Sequence, residues 1–488
     1  MSLTVEIILA IPVATALVCA AIPWARTRSM VSIIGSLALL VASVPMCIDA
    51  FTGKTTEYSM WYVDGLSALF LILIALVGFM ASIYSAGYIK LDKDEGRITS
   101  KDERIYSVLF HTFVAVMLTV CVVSSFGIMW IAIEATTLVS AFLVGFYRKE
   151  SSTEAAWKYL MICSVGITLA LMGIILIYAS SMAVLGNDPG ALNWPILYSV
   201  ASDLDPSLLK IAFVFVLVGF GTKMGLVPMH TWLPDAHSQS PTPISAMLSA
   251  VLLNCAMYTI LRFQMILNVA VPGFSSSLMI GFGLISMAVA AAFILISKDI
   301  KRMLAYSTIE HMGIMMIGFG IGTPLAVFGA LFHVIAHSLT KTFVFFAAGN
   351  VIQGYGTSNM ADIKGLREKM PFTAFMMTAG TLAILGVPPF AVFIGEISIL
   401  AGAFSDGMYI VAAVMVVLII VVFAGFLRNV LPMLSGDTKK EVKDLKGISR
   451  ALPMVLLLLA IILLGLFMPE QMRDALESIA DAVTGGIL

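Results

Sequence analysis

Glu134 stands in the stretch MWIAIEATTLVSAF, Lys158 in EAAWKYLMICSVG, and Lys223 in the apolar run that ends GTKMGLVP. Further on, Glu310 and His311 sit in YSTIEHMGIMM, His333, His337 and Lys341 in LFHVIAHSLTKTFVFF, and Glu396 in GVPPFAVFIGEISIL. An ionisable side chain in hydrocarbon costs about 2.5–3.5 kcal/mol on insertion scales. A chain that keeps a series of them either satisfies each with a neighbouring helix or uses them together. The chemistry open to Glu, Lys and His inside a membrane is proton transfer. His333, His337 and Lys341 lie at i, i+4 and i+8, on one helix face, and at 1.5 Å per residue they cover about 12 Å of depth. Such a row can pass a proton by way of bridging waters. Two histidines at i, i+4 can also ligate zinc, but no H-E-x-x-H motif and no cysteine pair completes a ligand set here, so no metal site is expected.

Lys223 and Glu396 share a further feature. Pro228 follows Lys223, and Pro388 and Pro389 precede Glu396. Proline removes a backbone donor and breaks a helix. Broken backbone at membrane depth persists only where protein or a wet cavity surrounds it, and a broken helix beside a buried charge is the pattern of an ion site in transporters. The other reading is a proline kink used for packing. His230, Asp235 and His237 follow the first break closely and are candidates for a supporting role.

These residues need a membrane scaffold, and the composition supplies one. The chain has 488 residues, 60% hydrophobic and only 12% charged, with mean hydropathy +1.01. The charged share is about half that of soluble domains. A net charge of −1 gives no reason to expect nucleic acid as a partner. The five cysteines (Cys19, Cys47, Cys121, Cys163, Cys255) form no C-x-x-C pair, so neither zinc nor an iron–sulfur cluster is indicated. No cofactor is expected, and no redox site in this chain.

The apolar runs predict an all-α polytopic membrane protein of about fourteen spans, near 3–23, 29–49, 64–89, 106–126, 127–146, 155–178, 208–230, 243–267, 275–297, 302–321, 324–350, 372–400, 407–432 and 450–469. The fourth and fifth are divided only by SSFG. The first run opens without a basic n-region and reads as a retained helix. No strands are expected, and the segment after 470 reads as short and weakly amphipathic. The hydrophilic stretches 90–105, 179–207 and 351–371 are too short for a soluble core.

Most basic residues cluster after odd-numbered spans: Arg26 and Arg28; Lys90 to Arg104; Arg148 and Lys149; Lys298, Lys301 and Arg302; Lys364 to Lys369; and Arg428, Lys439, Lys440, Lys443, Lys446 and Arg450. The opposite side holds Lys54, Lys210, Arg262 and Arg473. The positive-inside rule makes the first side cytoplasmic and places both termini outside. The expected organisation is three helices in 1–105, a five-helix repeat in 106–268, a second in 269–432, and a last helix with its tail in 433–488. Each repeat carries an acid on its second helix (Glu134, Glu310) and a charge on its broken fourth (Lys223, Glu396). Five helices per repeat makes the second inverted.

The segment KMGLVPMHTWLPDAHSQSPTPISAMLSAVLLNCAMYTILRF closely resembles the core of the antiporter-like subunits of respiratory complex I, of Mrp-type sodium/proton antiporters and of membrane-bound hydrogenases. With STIEHMG, AHSLTKTFVFFAAGN and GVPPFAVFIGE, the chain looks most like the F-type membrane subunit of the hydrogenase-4 family; the resemblance spans roughly residues 60 to 430. It implies that Glu134 and Lys223 form an ion pair whose opening and closing gates the lysine. Lys158 matches the sixth-helix lysine. His333, His337 and Lys341 would link two half-channels, and Glu396 would handle protons near the exit. Where many relatives carry a central eighth-helix lysine, this chain has Asn254, which can hydrogen-bond water but cannot take up a proton near neutral pH. A neighbour such as His311 or Lys341 would then serve as the central relay, or conduction would be poor. No long lateral helix such as ends the distal complex I subunit is read in this sequence, so that particular subunit type is not expected.

The resemblance thus implies a proton-translocating subunit in a prokaryotic cell membrane, with other membrane subunits, further antiporter-like subunits among them, and the lipid bilayer as partners. Two alternatives stay open. One is a sodium/proton antiporter subunit, with Thr136, Thr137 and Ser245 as candidate sodium oxygens. The other is a non-pumping membrane anchor of a hydrogenase.

Overall fold

A computed structural model describes residues 2–438 and 441–485; Lys439 and Lys440 of the basic clusters lie outside the described residues. The chain winds into helices α1 (Ser2–Ala21), α2 (Ala25–Phe51), α3 (Gly65–Asp94), α4 (Ser100–Val122), α5 (Phe126–Val144), α6 (Glu150–Leu185), α7 (Trp194–Ser199), α8 (Pro206–Met224), α9 (Trp232–Gln239), α10 (Thr242–Met247), α11 (Leu253–Ala270), α12 (Phe274–Ile296), α13 (Ile300–Ile321), α14 (Pro324–Tyr355), α15 (Leu366–Lys369), α16 (Pro371–Ile384), α17 (Ala391–Ser405), α18 (Tyr409–Leu434), α19 (Ile448–Leu466) and α20 (Glu470–Thr484). Among the described residues twelve helices are long and apolar enough to cross a membrane, the piece Thr242–Ala270 counting as one. α13 and the pair α16–α17 occupy the two remaining positions where spans were expected.

Helix boundaries follow local chemistry. Thr99 and Asp102 cap α4 reciprocally, Asp205 accepts from two amides at the start of α8, and Thr323 caps α14, each satisfying donors that a helix start leaves free. The α4–α5 boundary falls at Val123–Ser125. There Ser124 N–H bonds Met60 O at 2.9 Å and Trp194 N–H bonds Ser124 O at 2.9 Å, so the backbone pairs with other loops instead of continuing the helix.

Two windows are wholly buried, those of 242–270 and 324–355, which puts these helices at the centre of the molecule. α14 packs against α17, α13, α16, α19 and α10, and α6 lies along α8. Gly166 and Gly219 let that last pair approach closely, since a Cβ on Gly219 would meet Gly166 O at 2.6 Å; small residues serve this purpose between membrane helices. α1, α2, α18 and α19 are largely exposed along their spans, as lipid-facing or partner-facing helices are.

Four expectations need correction. A two-stranded antiparallel hairpin is present, Thr56–Tyr58 with Trp61–Val63; at three residues per strand it is too short for an alternation pattern to register. The last segment is a strongly amphipathic helix, α20, which buries Ala475, Leu476, Ile479, Ala480 and Val483; its apolar positions recur at helical spacing among Glu, Asp and Arg. A third interruption, unforeseen, is the π-helical turn Leu248–Leu252 between α10 and α11; no proline or glycine marks it. Finally, several cations assigned to connections are buried. Arg28 faces Glu103 at 3.2 Å, Lys301 donates to Ser240 O at 2.5 Å, Arg262 grips Asp64 with both terminal nitrogens, at 2.8 and 2.5 Å, and Arg450 bonds Asn350 at 2.7 Å and Gln353 at 2.5 Å.

Candidate functional site

The first break sits just after Lys223. α8 ends at Met224, and Gly225 takes the left-handed conformation (φ 82°) that a side chain would disfavour. The carbonyls freed there are met locally: Leu226 N–H reaches Gly221 O at 2.8 Å, and the Trp232 indole N–H reaches Thr222 O at 2.9 Å. Lys223 is fully buried. Its ammonium donates to Thr137 Oγ1 at 2.8 Å and to Tyr159 Oη at 2.5 Å. Tyr159 also contacts Ser140 Oγ at 2.7 Å, and its ring leans on Trp232 at a centroid distance of 4.7 Å. The amine is therefore held by hydroxyls from α5 and α6.

Glu134 is partly exposed on α5. One carboxylate oxygen accepts from Ser164 Oγ at 2.8 Å, and the other is buried without a protein partner. Among the described residues no ion pair joins Glu134 to Lys223: Ser164 holds the acid, and Thr137 with Tyr159 holds the amine, the open arrangement of the expected pair. Lys158 also departs from expectation. It is 48% exposed and pairs with Glu154 at 2.5 Å and Asp235 at 3.3 Å, because its position on α6 turns away from the core. Asp235 in turn accepts from Arg302 at 2.5 Å, so α6, α9 and α13 meet in one charge cluster. His230 is half-buried in the break. His237 is buried, with Nδ1–H donated to Leu233 O at 2.8 Å and Nε2 unpartnered.

The central pieces meet at Asn254, which opens α11 directly after the π turn. Its amide donates to Ala250 O at 2.7 Å and to Ser338 Oγ at 3.0 Å. Ser338 neighbours His337 on α14, so Asn254 links the eighth span to the histidine helix. Lys341, one turn on, is fully buried and donates to Leu304 O at 2.9 Å and to Ser307 Oγ.

The second break lies after Ile384, with Gly386 again at positive φ (60°). Glu396 sits just beyond it in α17, its carboxylate lying directly against Gly386. Lys223 thus precedes its break and Glu396 follows its own. Glu396 shares a compact group with His311 and His333, whose ligating atoms all lie within 4.8 Å of one another. His311 Nδ1 meets His333 Nε2 at 2.9 Å, and the His337 ring centroid lies 5.3 Å from that of His311. Glu310 Oε2 stands 3.8 Å from His311 Nε2. The structure therefore joins His311, His333, His337, Glu310 and Glu396 across three helices, where the sequence showed only the row on α14.

Unpartnered buried polar atoms run through this region: Glu134 Oε2, His237 Nε2, Asn254 Oδ1, Glu310 Oε2, His311 Nε2, His333 Nδ1 and both nitrogens of His337. Buried polar atoms are as a rule hydrogen-bonded to protein or ordered water, and here the protein supplies no partner. The residues that sequence reasoning missed here are Tyr159, Ser164, Ser307 and Ser338, ordinary helix residues with no mark of their own in the sequence.

Comparison with known proteins agrees with this geometry. A family profile described as NADH:quinone oxidoreductase/Mrp antiporter, TM, matches residues 123–424, and one described as NADH-ubiquinone oxidoreductase (complex I), chain 5 N-terminus, matches residues 57–97. A hydrogenase-4 component F homolog from Methylacidiphilum infernorum is 37% identical over 453 residues, covering 92% of each chain. NADH-quinone oxidoreductase subunit N of Desulforudis audaxviator is 28% identical over 439 residues, covering 85% of this chain and 83% of that one. The fold is shared with a chain of the membrane-bound sulfane sulfur reductase, an archaeal respiratory membrane complex (TM-score 0.86, 22% identity, 98% of this chain and 97% of that one). It is shared too with a chain of the Mrp complex from Dietzia sp. (TM-score 0.83, 20% identity, 99% and 98%). With the profile spanning most of the chain and a curated relative matched nearly end to end, this polytopic helical chain belongs to the antiporter-like membrane subunits of the NADH:quinone oxidoreductase/Mrp antiporter family.

Proposed function

We propose that the chain translocates protons through its row of buried ionisable groups, as a subunit without redox chemistry of its own in an energy-converting complex of the hydrogenase-4 type. The observation that carries this reading is Lys223: a fully buried amine held by two hydroxyls and no carboxylate, on the last turn of a broken helix. Movement of Glu134 from Ser164 toward Lys223 loads the amine, and its return releases the proton. Asn254 and Ser338 with water pass it to Lys341 and His337, and His311 and His333 hand it to Glu396. Lys158, exposed and paired, acts at the edge through Asp235 and not as a relay. Asn254 serves as a water-orienting link, so Lys341 or His311 takes the central proton. Redox partners drive the cycle from neighbouring subunits through the same line of charges, with the cluster of Arg and Lys after the odd-numbered spans facing the cytoplasm of a prokaryotic cell and both termini facing out.

The test is Lys223→Ala in the assembled complex. Coupled proton pumping is abolished while the complex still assembles; pumping at the normal stoichiometry would refute the assignment. A sodium/proton exchange reading receives less support. The hydroxyls of Thr136 and Thr137 are engaged by Ile133 O and Lys223, and that of Ser245 by His237 O at 2.8 Å, so they do not form an open oxygen cage.

A further inference from the structure

We propose that His311, His333 and Glu396 form an inhibitory binding site for a divalent transition metal of the zinc class, closed by the joining of α13, α14 and α17. The three side chains are 1%, 0% and 6% exposed, and their ligating atoms lie within 4.8 Å of one another. Zinc takes imidazole nitrogen and carboxylate oxygen at about 2.0–2.2 Å, with tetrahedral geometry. A metal between His311 Nδ1 and His333 Nε2, now 2.9 Å apart, requires these nitrogens to open to about 3.3 Å, a small turn of either ring.

A second observation points the same way. With Nδ1 directed at the site, the opposite nitrogen of His311 faces the unpartnered Glu310 Oε2 at 3.8 Å. At 3.8 Å this is not a hydrogen bond, but a carboxylate behind a ligating imidazole is the usual outer partner of a zinc histidine, and a small turn of either side chain brings Glu310 into that place. Glu396 at the site and Glu310 behind it are two carboxyl groups that would give up protons as a divalent cation enters, balancing its charge as burial requires. His337, with both nitrogens unpartnered and its ring 5.3 Å from that of His311, is a further imidazole next to the site. The inhibitory part rests on the proton-path reading: a lone pair given to a metal cannot take up a proton, so an occupied site interrupts the route between Lys341 and Glu396.

The experiment uses the purified, metal-stripped complex titrated with zinc, and with cobalt as an optical probe. The expected result is one ion per chain. X-ray absorption should show two or three imidazole nitrogens and a carboxylate oxygen, and proton pumping in proteoliposomes should fall with the same titration. Glu310→Gln should weaken zinc binding by about 10–100-fold without changing that ligand shell, and His333→Ala should abolish site occupancy. Zinc bound to an all-oxygen shell, or unchanged stoichiometry in His333→Ala, overturns the site. Should His333→Ala fail to assemble, the wild-type spectrum alone decides. Zinc bound with the expected shell but pumping unchanged would overturn the inhibitory role and the proton path while leaving the metal site. Pumping abolished by Lys223→Ala with no zinc bound would do the reverse.

Discussion

Lys223 Nζ has two hydroxyl acceptors, and one of them, Tyr159 Oη, is also placed against Ser140. Removing that oxygen leaves a buried ammonium one partner short. Leaving a buried polar group unsatisfied costs about 1–3 kcal/mol, and more for charged groups. Tyr159→Phe is therefore expected to lower stability by roughly this amount, visible as a lower thermal midpoint in detergent, and to slow pumping without abolishing it, since Thr137 remains. An unchanged midpoint would mean that Tyr159 does not hold the amine. The charged members of the site were legible in the sequence because Lys, Glu and His are costly in apolar runs and so announce themselves. Tyr159, Ser164 and Ser338 carry no such cost, so nothing in their neighbourhood set them apart. The open state of the Glu134–Lys223 pair was hidden for a similar reason: the sequence showed the two charges but not the hydroxyls that hold each one separately.

At the scale of elements, the short helix α9 is the piece that carries Trp232 against Tyr159 and over the freed Thr222 carbonyl. Asp235 ties α9 to α6 through Lys158 and to α13 through Arg302. These partners are 48% and 43% exposed, and exposed pairs contribute about 0–1 kcal/mol. Asp235→Asn should leave the thermal midpoint nearly unmoved while lowering the pumping rate several-fold, because α9 loses its alignment with Lys223. A large loss of stability with an unchanged rate in the surviving protein would show the cluster to be a structural tie alone. Helix positions were readable from length and hydropathy, and both proline breaks from composition. The π turn before Asn254 and the hairpin at 56–63 were not, since the first uses the same apolar residues as the helices around it and the second is too brief for a period to show. α20 was underestimated because its buried face is made of Ala, Ile, Leu and Val spread among charges.

For the whole molecule, two blocks of the chain each present a broken helix and a second-helix acid, around the two wholly buried central spans 242–270 and 324–355. We read these blocks as inverted repeats because each has five expected spans, with an acid on the second and a break in the fourth; Lys223 precedes its break and Glu396 follows its own, so these two charges do not occupy equivalent positions. Proton pumping should then persist at full rate in sodium-free buffer, measured in proteoliposomes with a potassium or choline salt. Strict dependence on sodium would favour the exchange reading. The faces formed by Ile131, Phe142, Trp157, Met161 and Val165 on α5 and α6, each at least 59% exposed, are those a neighbouring membrane subunit or lipid must cover, a surface that sequence alone could not separate from the interior because both are apolar.

Arg450 binds Gly87 O, Asn350 and Gln353 at once, and Gln353 also holds Asp92 at 2.8 Å. During synthesis Gln353 emerges 97 residues ahead of this guanidinium, which at about 5–20 residues per second is a wait of roughly 5–20 s. Throughout that interval the nascent bundle holds the amides of Asn350 and Gln353 without their cation, so the insertion machinery must shelter a polar seam until the last membrane-spanning helix arrives to close it.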